Sequence, residues 1–492
     1  MTDEAREIAR RRAVMKDLKT TVETEGKIGN VSANTSGAST PDAGRSSPQQ
    51  GTGEVFELEK HSEISDRIDH TGFLDDTPSA ADYDPDADRI REHEHHRKLR
   101  IDQEAVIPTT QSATEEDLDD MFADPEEHKD TVSSNKISNA TAMGAQRLDE
   151  NMLDSWADTE GYYRIMIGEL LDNRYAVQSI LGKGVFSAVV KATDQITGNI
   201  VAIKVIRNND VMRKAGMKEI TILEQLMAAD PDDRKHIVRL KHTFDHRNHL
   251  CLVFESLSLN LREVLKKFGR EIGLNLKAVR AYAQQIFLAL SLMRKCNIMH
   301  ADLKPDNILV SESRTLLKIC DLGSASDVSE NVPTPYLASR FYRAPEVILG
   351  LPYDTSMDVW AIGCTLFELY TGKILFPGRT NNQMLRLFME CRGRISQKLV
   401  KKAVFAANHF DDEYNFTSVE LDKATGEEVT RVLNISKPVK DFKTRLMAGA
   451  GPEERGLLVH FIDLLERCTE LDASRRLNPT DALKHPFLAR TR

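Results

Sequence analysis

Large side chains are spread so unevenly along this chain that only part of it can build a core. Of the 30 aromatic residues (18 Phe, 10 Tyr and 2 Trp), residues 1–150 hold four: Phe56, Phe73, Tyr83 and Phe122. The run Val31–Gly53 is mostly Ser, Thr, Gly, Pro, Ala and Gln, and residues 112–130 are acidic, with Glu115, Glu116, Asp117, Asp119 and Asp120. Such segments bury too little to offset the ~1–2 kcal/mol per residue that ordering a backbone costs. Residues 1–160 are therefore expected to be a disordered regulatory or interaction tail. Thr40-Pro41, Ser47-Pro48 and Thr77-Pro78 offer it proline-directed phosphorylation sites.

From Gly161 the texture changes. Strand-like runs are read at Tyr175–Ile180, Phe186–Ala192, Ile200–Ile206, Val238–Leu240 and Leu250–Phe254, with Thr197-Gly198-Asn199 as a hairpin turn. Between them lies a helical pattern with Met217, Ile220, Leu223 and Leu226–Met227 on one face. After Glu255 the chain turns helical, and Leu276, Val279, Ala283, Ile286, Leu290 and Met293 step by three and four as a buried amphipathic helix does. A strand-rich segment followed by a longer helix-rich one predicts an α+β protein of two lobes with a cleft between them, and such clefts bind ligands.

Charge narrows the ligand class. The net charge is −10, so general phosphate-backbone binding is not expected, and no direct nucleic-acid partner is read here. No apolar run approaches the ~20 residues of a membrane span, and no apolar stretch of a secretory signal follows Met1. Cys251, Cys296, Cys320, Cys364, Cys391 and Cys468 form no C-x-x-C pair and read as reduced thiols.

The chemistry is concentrated in a few short stretches. Leu181-Gly182-Lys183-Gly184-Val185-Phe186-Ser187-Ala188-Val189 offers a turn whose glycines let backbone N–H groups approach phosphates. Val201-Ala202-Ile203-Lys204 closes a strand with a lysine among apolar residues, and such a charge needs an anionic partner. Glu219, on the following helix, can supply it. Asp302, Lys304 and Asn307 share one loop before the apolar run Ile308-Leu309-Val310 and bring a base, a phosphate partner and a metal ligand. A second strand-like run, Leu316–Cys320, leads into Asp321-Leu322-Gly323, whose carboxylate suits Mg²⁺.

In this order and spacing, with Ala344-Pro345-Glu346, Asp358-x-Trp360-x-x-Gly363 and Arg476, the residues resemble the eukaryotic protein kinases over about 170–490. The resemblance implies a bilobal kinase fold at 174–490. Its N-lobe, 174–254, would be an antiparallel sheet plus one helix, and its C-lobe, 255–490, mainly helical. It implies Mg²⁺ and ATP as cofactors. Gly182 and Gly184 would cover the phosphates, and Lys204, paired with Glu219, would hold two of them. Asp302 would accept the substrate hydroxyl proton, Lys304 would stabilise the transferring phosphoryl group, and Asn307 with Asp321 would bind the metal. Val189, Ala202 and Leu309 would sandwich the adenine, Phe254 would back the pocket, and Glu255–Leu257 would form the hinge. Glu346 and Arg476 would be a structural ion pair. Leu223, Leu240, His300 and Leu322 would stack in one column. Lys304 points to Ser/Thr rather than Tyr specificity.

Three positions depart from the common pattern. Ser187 replaces a third glycine, Leu322 replaces a Phe, and Ala301 replaces the Arg that normally pairs with an activation-loop phosphate. Arg340 and Arg343 are at hand instead. Thr334-Pro335-Tyr336-Leu337-Ala338-Ser339-Arg340-Phe341-Tyr342-Arg343 resembles the CMGC group and its DYRK-like branch, which implies phosphorylation of Tyr336, often by the kinase itself. Trp156–Arg164, Ile206–Asn209, Ala229–Asp233, Leu257–Leu265 and Thr371–Gly378 resemble the pre-mRNA-processing kinases of the spliceosome. That likeness implies a nuclear, monomeric kinase domain acting on splicing factors of the tri-snRNP, with a CMGC insert at about 385–455 that includes Lys398, Lys401 and Lys402. The rivals are another nuclear DYRK- or CLK-type kinase acting on transcription or growth-control proteins, and a pseudokinase scaffold. The presence of Lys204, Glu219, Asp302, Lys304, Asn307 and Asp321 speaks against the scaffold.

Overall fold

A computed structural model describes residues 56–60, 79–85, 87–92, 94, 156–269, 272–330, 334–421, 428–448 and 451–489. Strands β1 (Leu170–Leu171), β2 (Tyr175–Lys183), β3 (Ser187–Asp194), β4 (Ile200–Ile206), β5 (Leu240–His246) and β6 (His249–Glu255) form one antiparallel sheet in the order β1-β2-β3-β4-β6-β5. The β3–β4 hairpin turns at Gly198, whose φ of +71° favours glycine. The short run read at Val238–Leu240 is corrected. Ile237 and Val238 reach across to Ile319 instead, and the strand begins at Leu240. Its length escaped notice because β5 is an edge strand carrying Lys241, His242, Asp245 and His246, the charged composition that protects edges.

Helix α1 (Asp210–Ala229) starts at Asn209, whose side chain accepts from the N–H groups of Val211 and Met212. It buries Met212, Glu219, Ile220, Leu223 and Leu226. Met217, expected on this face, is 50 % exposed. At 3.6 residues per turn it sits ~120° around the helix from Leu223, so it borders the stripe instead of joining it.

The second lobe begins with α2 (Leu261–Val264), capped reciprocally by Asn260 and Glu263, and α3 (Leu276–Lys295), which buries all six predicted stripe residues. Short pairs β7 (Ile298–Met299) with β10 (Ser326–Asp327) and β8 (Ile308–Val310) with β9 (Leu317–Ile319) carry the cleft floor. Helix α4 (Pro345–Leu349) leads to α5 (Ser356–Thr371), which is buried at every residue from Ser356 to Tyr370. A helix buried on every side belongs in the middle of a lobe, and α3 and α9 (Arg455–Cys468) pack against it. Helices α6 (Asn381–Arg392), α7 (Gln397–Val400), α8 (Phe442–Met447) and α10 (Pro479–Ala482) complete the lobe.

The stretch expected as an insert contains the hairpin β11 (Phe416–Leu421) and β12 (Glu428–Leu433), with Lys398, Lys401 and Lys402 exposed beside it. Asn382 fastens the hairpin to α6. Its Nδ2 donates to the Thr417 carbonyl at 2.8 Å and meets His409 Nδ1 at 3.3 Å, and Val419 N donates to its Oδ1. His409 is buried, and burial pushes its imidazole down to about 4. Its protons are therefore bound by the unfolded chain first. Stability is expected to be full above the ordinary histidine range and to fall as pH drops from ~6.5 towards 4, by up to about 3 kcal/mol. A pH series of denaturant unfolding should show this slope, and His409→Gln should flatten it.

Most of the expected tail, including Thr40, Ser47 and Thr77, lies outside the described residues. Its described pieces pack on the domain. Phe56 meets Tyr282 at 5.7 Å between ring centroids, Leu58 is buried, and its carbonyl accepts from Asn275 N. Ala80 is fully buried, its N–H donating to Gly372 O, and residues 87–92 are helical. A low aromatic count excludes an independent core but not a few anchors seated on a core built by the rest of the chain. All six cysteines are free, and no helix among the described residues is long and apolar enough to cross a membrane.

Candidate active site

The sheet sets the upper wall of the cleft. Val189 stands opposite Lys204 across the β3–β4 pair, and Ala202 precedes Lys204 by two residues, so all three share one face. Val189, Ala202 and Leu309 are half-buried, while Val190, Ile203, Ile308 and Val310 beside them are fully buried. The alternation leaves one apolar surface open for a flat ring, with Phe254 almost buried behind it. The hinge is tied to the floor through Ser258 N to Val310 O and Val310 N to Leu259 O. Glu255, read as a hinge residue, also spends its carboxylate structurally, accepting from Lys318 Nζ at 2.6 Å and Arg239 N at 2.9 Å. Leu257 is half-buried and Leu181 exposed at the rim.

At Gly182 and Gly184 an added Cβ would meet nothing within 4 Å, so the glycine loop borders open space. Its rear is pinned by Tyr162, whose hydroxyl donates to Gly184 O at 2.8 Å and Val185 O at 3.2 Å, and by Arg207, which donates to Val185 O. Lys183 stacks over the Tyr162 ring. Phe186 and Ser187 turn back into β3, where Ser187 and Ala188 are buried. Sequence reasoning left Tyr162 without a role, since nothing in its spacing points to a loop twenty residues on.

Lys204 Nζ lies 2.9 and 2.8 Å from the two carboxylate oxygens of Glu219 and 2.8 Å from Asp321 Oδ1. Burial alone would lower its pKa. The two carboxylates outweigh that and hold it charged. The Lys204 ammonium in turn draws the Asp321 carboxyl below its usual range. Gly323 lets the chain pass close by: a Cβ there would sit 3.4 Å from Lys204 Nζ. Of the residues expected to stack in one column, Leu223, Leu322 and His300 are buried and Leu240 is half-buried. Glu219→Gln keeps the shape and removes a charge. A charge-assisted bond of ~1.5–3 kcal/mol is then lost, so kcat/KM for the nucleotide is expected to fall about 10–100-fold in steady-state assays.

The floor carries the second group. Asp302 Oδ1 accepts from Ser339 N at 2.9 Å and Ser339 Oγ at 2.8 Å, and Oδ2 lies 3.1 Å from Lys304 Nζ. Lys304 also donates to Ser339 Oγ at 3.2 Å. Burial would raise the Asp302 carboxyl, but Lys304, Arg89 and the Ser339 hydroxyl hold it well below the usual carboxylate range. It is thus an anionic acceptor in place. Asn307 Nδ2 donates to the Asp302 carbonyl at 2.8 Å, which leaves its Oδ1 for a cation. Asp321, its side chain half exposed, offers the second hard oxygen.

The two oxygens fit Mg²⁺, which takes few protein carboxylates and completes its shell with phosphate oxygens and water. Among the described residues no cluster of three or more His, Cys, Asp or Glu side chains could hold a metal ion.

The loop that bears these groups is held from beneath. Ala301 has φ +66°, a left-handed conformation unfavourable for alanine. The Asp358 carboxylate fixes it, accepting from His300 N at 2.8 Å and Ala301 N at 3.0 Å. Asp358 sits in the first turn of α5, so the loop is fastened to the helix buried at the centre of the lobe. Ser339 and Asp358 were missed as site residues. Ser339 had no signal, whereas Asp358 stood inside a recognised motif without a stated job. Glu346 and Arg476 form the expected buried pair at 2.5 and 2.9 Å. Arg343 lies over the Tyr336 ring at 5.5 Å and donates to the carbonyls of Tyr336, Leu337 and Ala338.

A family model described as protein kinase domain matches residues 175–488. The chain is 53 % identical over 378 residues to a serine/threonine-protein kinase prp4 of Schizosaccharomyces pombe, covering 76 % of this chain and 78 % of that protein. It is 44 % identical over 384 residues to serine/threonine-protein kinase prpf4B of Dictyostelium discoideum, covering 75 % and 47 %. It is 37 % identical over 329 residues to a probable serine/threonine-protein kinase dyrk2 of the same amoeba, covering 67 % and 34 %. The chain thus spans about half and about a third of the length of the last two.

Proposed function

We propose, from the premise that this chain belongs to the protein kinase family and is a CMGC-type serine/threonine kinase, that it phosphorylates splicing factors in the nucleus, including proteins of the tri-snRNP. The observation that carries the catalytic reading is the joined set Glu219–Lys204–Asp321 facing Asp302, Lys304 and Asn307 across one cleft. In the reaction the γ-phosphoryl of ATP passes to a Ser or Thr oxygen, ADP leaves, and the hydroxyl proton goes to Asp302. Lys204 orients the nucleotide phosphates, and Lys304 offsets charge on the transferred group. Bound Mg²⁺ would be held by Asn307 and Asp321 and would neutralise phosphate charge. Little covalent chemistry is asked of the protein, so positioning and electrostatics carry the rate.

The splicing assignment rests on the likeness outside the shared motifs and on the high identity to the prp4 kinase over most of both chains. Proline after the target hydroxyl and autophosphorylation at Tyr336 belong to the same reading. The test is ATP-dependent labelling of nuclear-extract proteins by the wild type and by Asp302→Asn, with the sites identified. Wild-type-specific sites on splicing factors support the proposal. Sites confined to transcription or growth-control proteins would favour the DYRK-type alternative, and equal labelling by both proteins would favour a scaffold.

A further inference from the structure

An early part of the chain lies against Asp302 and the two activation-segment arginines. Residues 87–92 form a helical turn on the activation segment. Asp88 Oδ1 pairs with Arg340. Glu92 accepts from both terminal nitrogens of Arg343 at 2.8 Å. Arg89 Nη1 lies 3.8 Å from Asp302 Oδ2, on the oxygen not bonded to Ser339. The pattern is a helical one. Asp88 and Glu92, four apart, share a face that meets the two arginines, while Arg89, ~100° further round, meets the catalytic loop.

The pieces before it are seated as well. Ala80 O accepts from Arg262, Ser79 bridges Lys373, and Tyr83 packs on Phe341 at 4.5 Å with its hydroxyl donating to Asp88 at 3.0 Å. The guanidinium of Arg262 lies 5.2 Å from the centre of the Tyr83 ring. Arg340, Arg343, Asp88 and Glu92 are all at most about a tenth exposed as side chains, so these pairs are desolvated and not a loose surface contact.

We infer that residues 79–85 and 87–92 are an intramolecular occupant of the protein-substrate site, docked through Asp88 and Glu92 on Arg340 and Arg343 and closing Asp302 with Arg89. The inference rests on the kinase reading above. The surface so defined takes a segment with two acids one helical turn apart and a cation beside them. It leaves the nucleotide side of the cleft open, because none of these contacts involves Val189, Ala202, Lys204 or Leu309. A phosphate on Tyr336 carries about two negative charges and would compete with Asp88 and Glu92 for Arg343 and Arg340. Docking and loop phosphorylation are then opposing states of one pair of arginines.

The test compares the full chain with the double variant Asp88→Ala/Glu92→Ala and with Arg89→Ala. Hydrogen exchange without ATP is expected to show residues 87–92 protected in the wild type and unprotected in the double variant. Steady-state assays use a synthetic Arg/Ser-rich peptide containing Ser-Pro. If the site is closed about nine-tenths of the time, opening it raises kcat/KM for the peptide roughly tenfold with the KM for ATP unchanged. A peptide spanning residues 78–95 should then inhibit the double variant competitively with the substrate peptide and not with ATP. Equal protection in all three proteins overturns the docking. Unchanged or lowered kcat/KM in the variants overturns the occlusion, the lowered value meaning that the acids stand in for a loop phosphate. Absence of all phosphoryl transfer in every protein fails the kinase reading instead, and the exchange result still decides the docking.

Discussion

Asp302→Asn is expected to lower kcat by about 10²–10⁴-fold, the usual worth of a positioned proton acceptor, while leaving the KM for ATP within about twofold. The asymmetry follows from the geometry. Oδ1, held by Ser339 N and Oγ, remains an oxygen in the variant, so the loop keeps its shape. Oδ2, beside Lys304, becomes an amide that cannot take a proton. The nucleotide phosphates are proposed to bind elsewhere, at Lys204, which Glu219 and Asp321 hold in place. Purified wild type and variant compared at saturating ATP provide the measurement. Retention of more than about a tenth of wild-type turnover would remove Asp302 from the acceptor role.

The second large effect is on stability. Arg476 donates twice to Glu346 and also to the carbonyls of Ser356 and Glu470, its side chain fully buried against Trp360. Arg476→Met fills much of the same volume but strands a carboxylate in the interior. Breaking a buried pair from one side typically costs about 3–5 kcal/mol, more than the pair is worth intact, because the orphaned charge has no solvent to turn to. Denaturant unfolding should show the midpoint falling at nearly unchanged slope. The double variant Glu346→Gln/Arg476→Met should recover part of the loss, since the pair is a coupled unit. A single-variant loss below about 1 kcal/mol would mean that the interior admits water at this point.

The residues proposed for catalysis were legible as a set because phosphoryl transfer asks for particular residue types in a particular order, and the structure joins Lys204 to Glu219 and Asp321, and Asp302 to Lys304 and Asn307. The α3 stripe was legible because a buried helix face repeats at a fixed period. Edge strand β5 was not, since its solvent side is charged by necessity. Ser339 was not either. Its contact with Asp302 spans 37 residues and depends on how the activation segment folds back. The docked part of the tail was hidden for a different reason. Composition asks whether a segment can make its own core, and Phe56, Leu58 and Tyr83 need only a place on another one. Two of the four scarce aromatics of the first 150 residues turn out to be those anchors.

Leu58 and Lys60 give that arrangement a further property. Leu58 is buried, its carbonyl accepts from Asn275 N, and Lys60 Nζ donates to Ile272 O at 2.7 Å and also to Tyr370 O. The chain is thus fastened to the C-lobe once at Leu58 and Lys60 and again at Ser79 and Ala80. A tether of this kind converts docking into a first-order event, with an effective local concentration on the order of millimolar. An occupant that would bind only at high micromolar concentration in solution can fill its groove almost all the time when so leashed. Weak intrinsic affinity is then an advantage, because one phosphate or one competing partner is enough to tip the balance, and the displaced segment stays close enough to return.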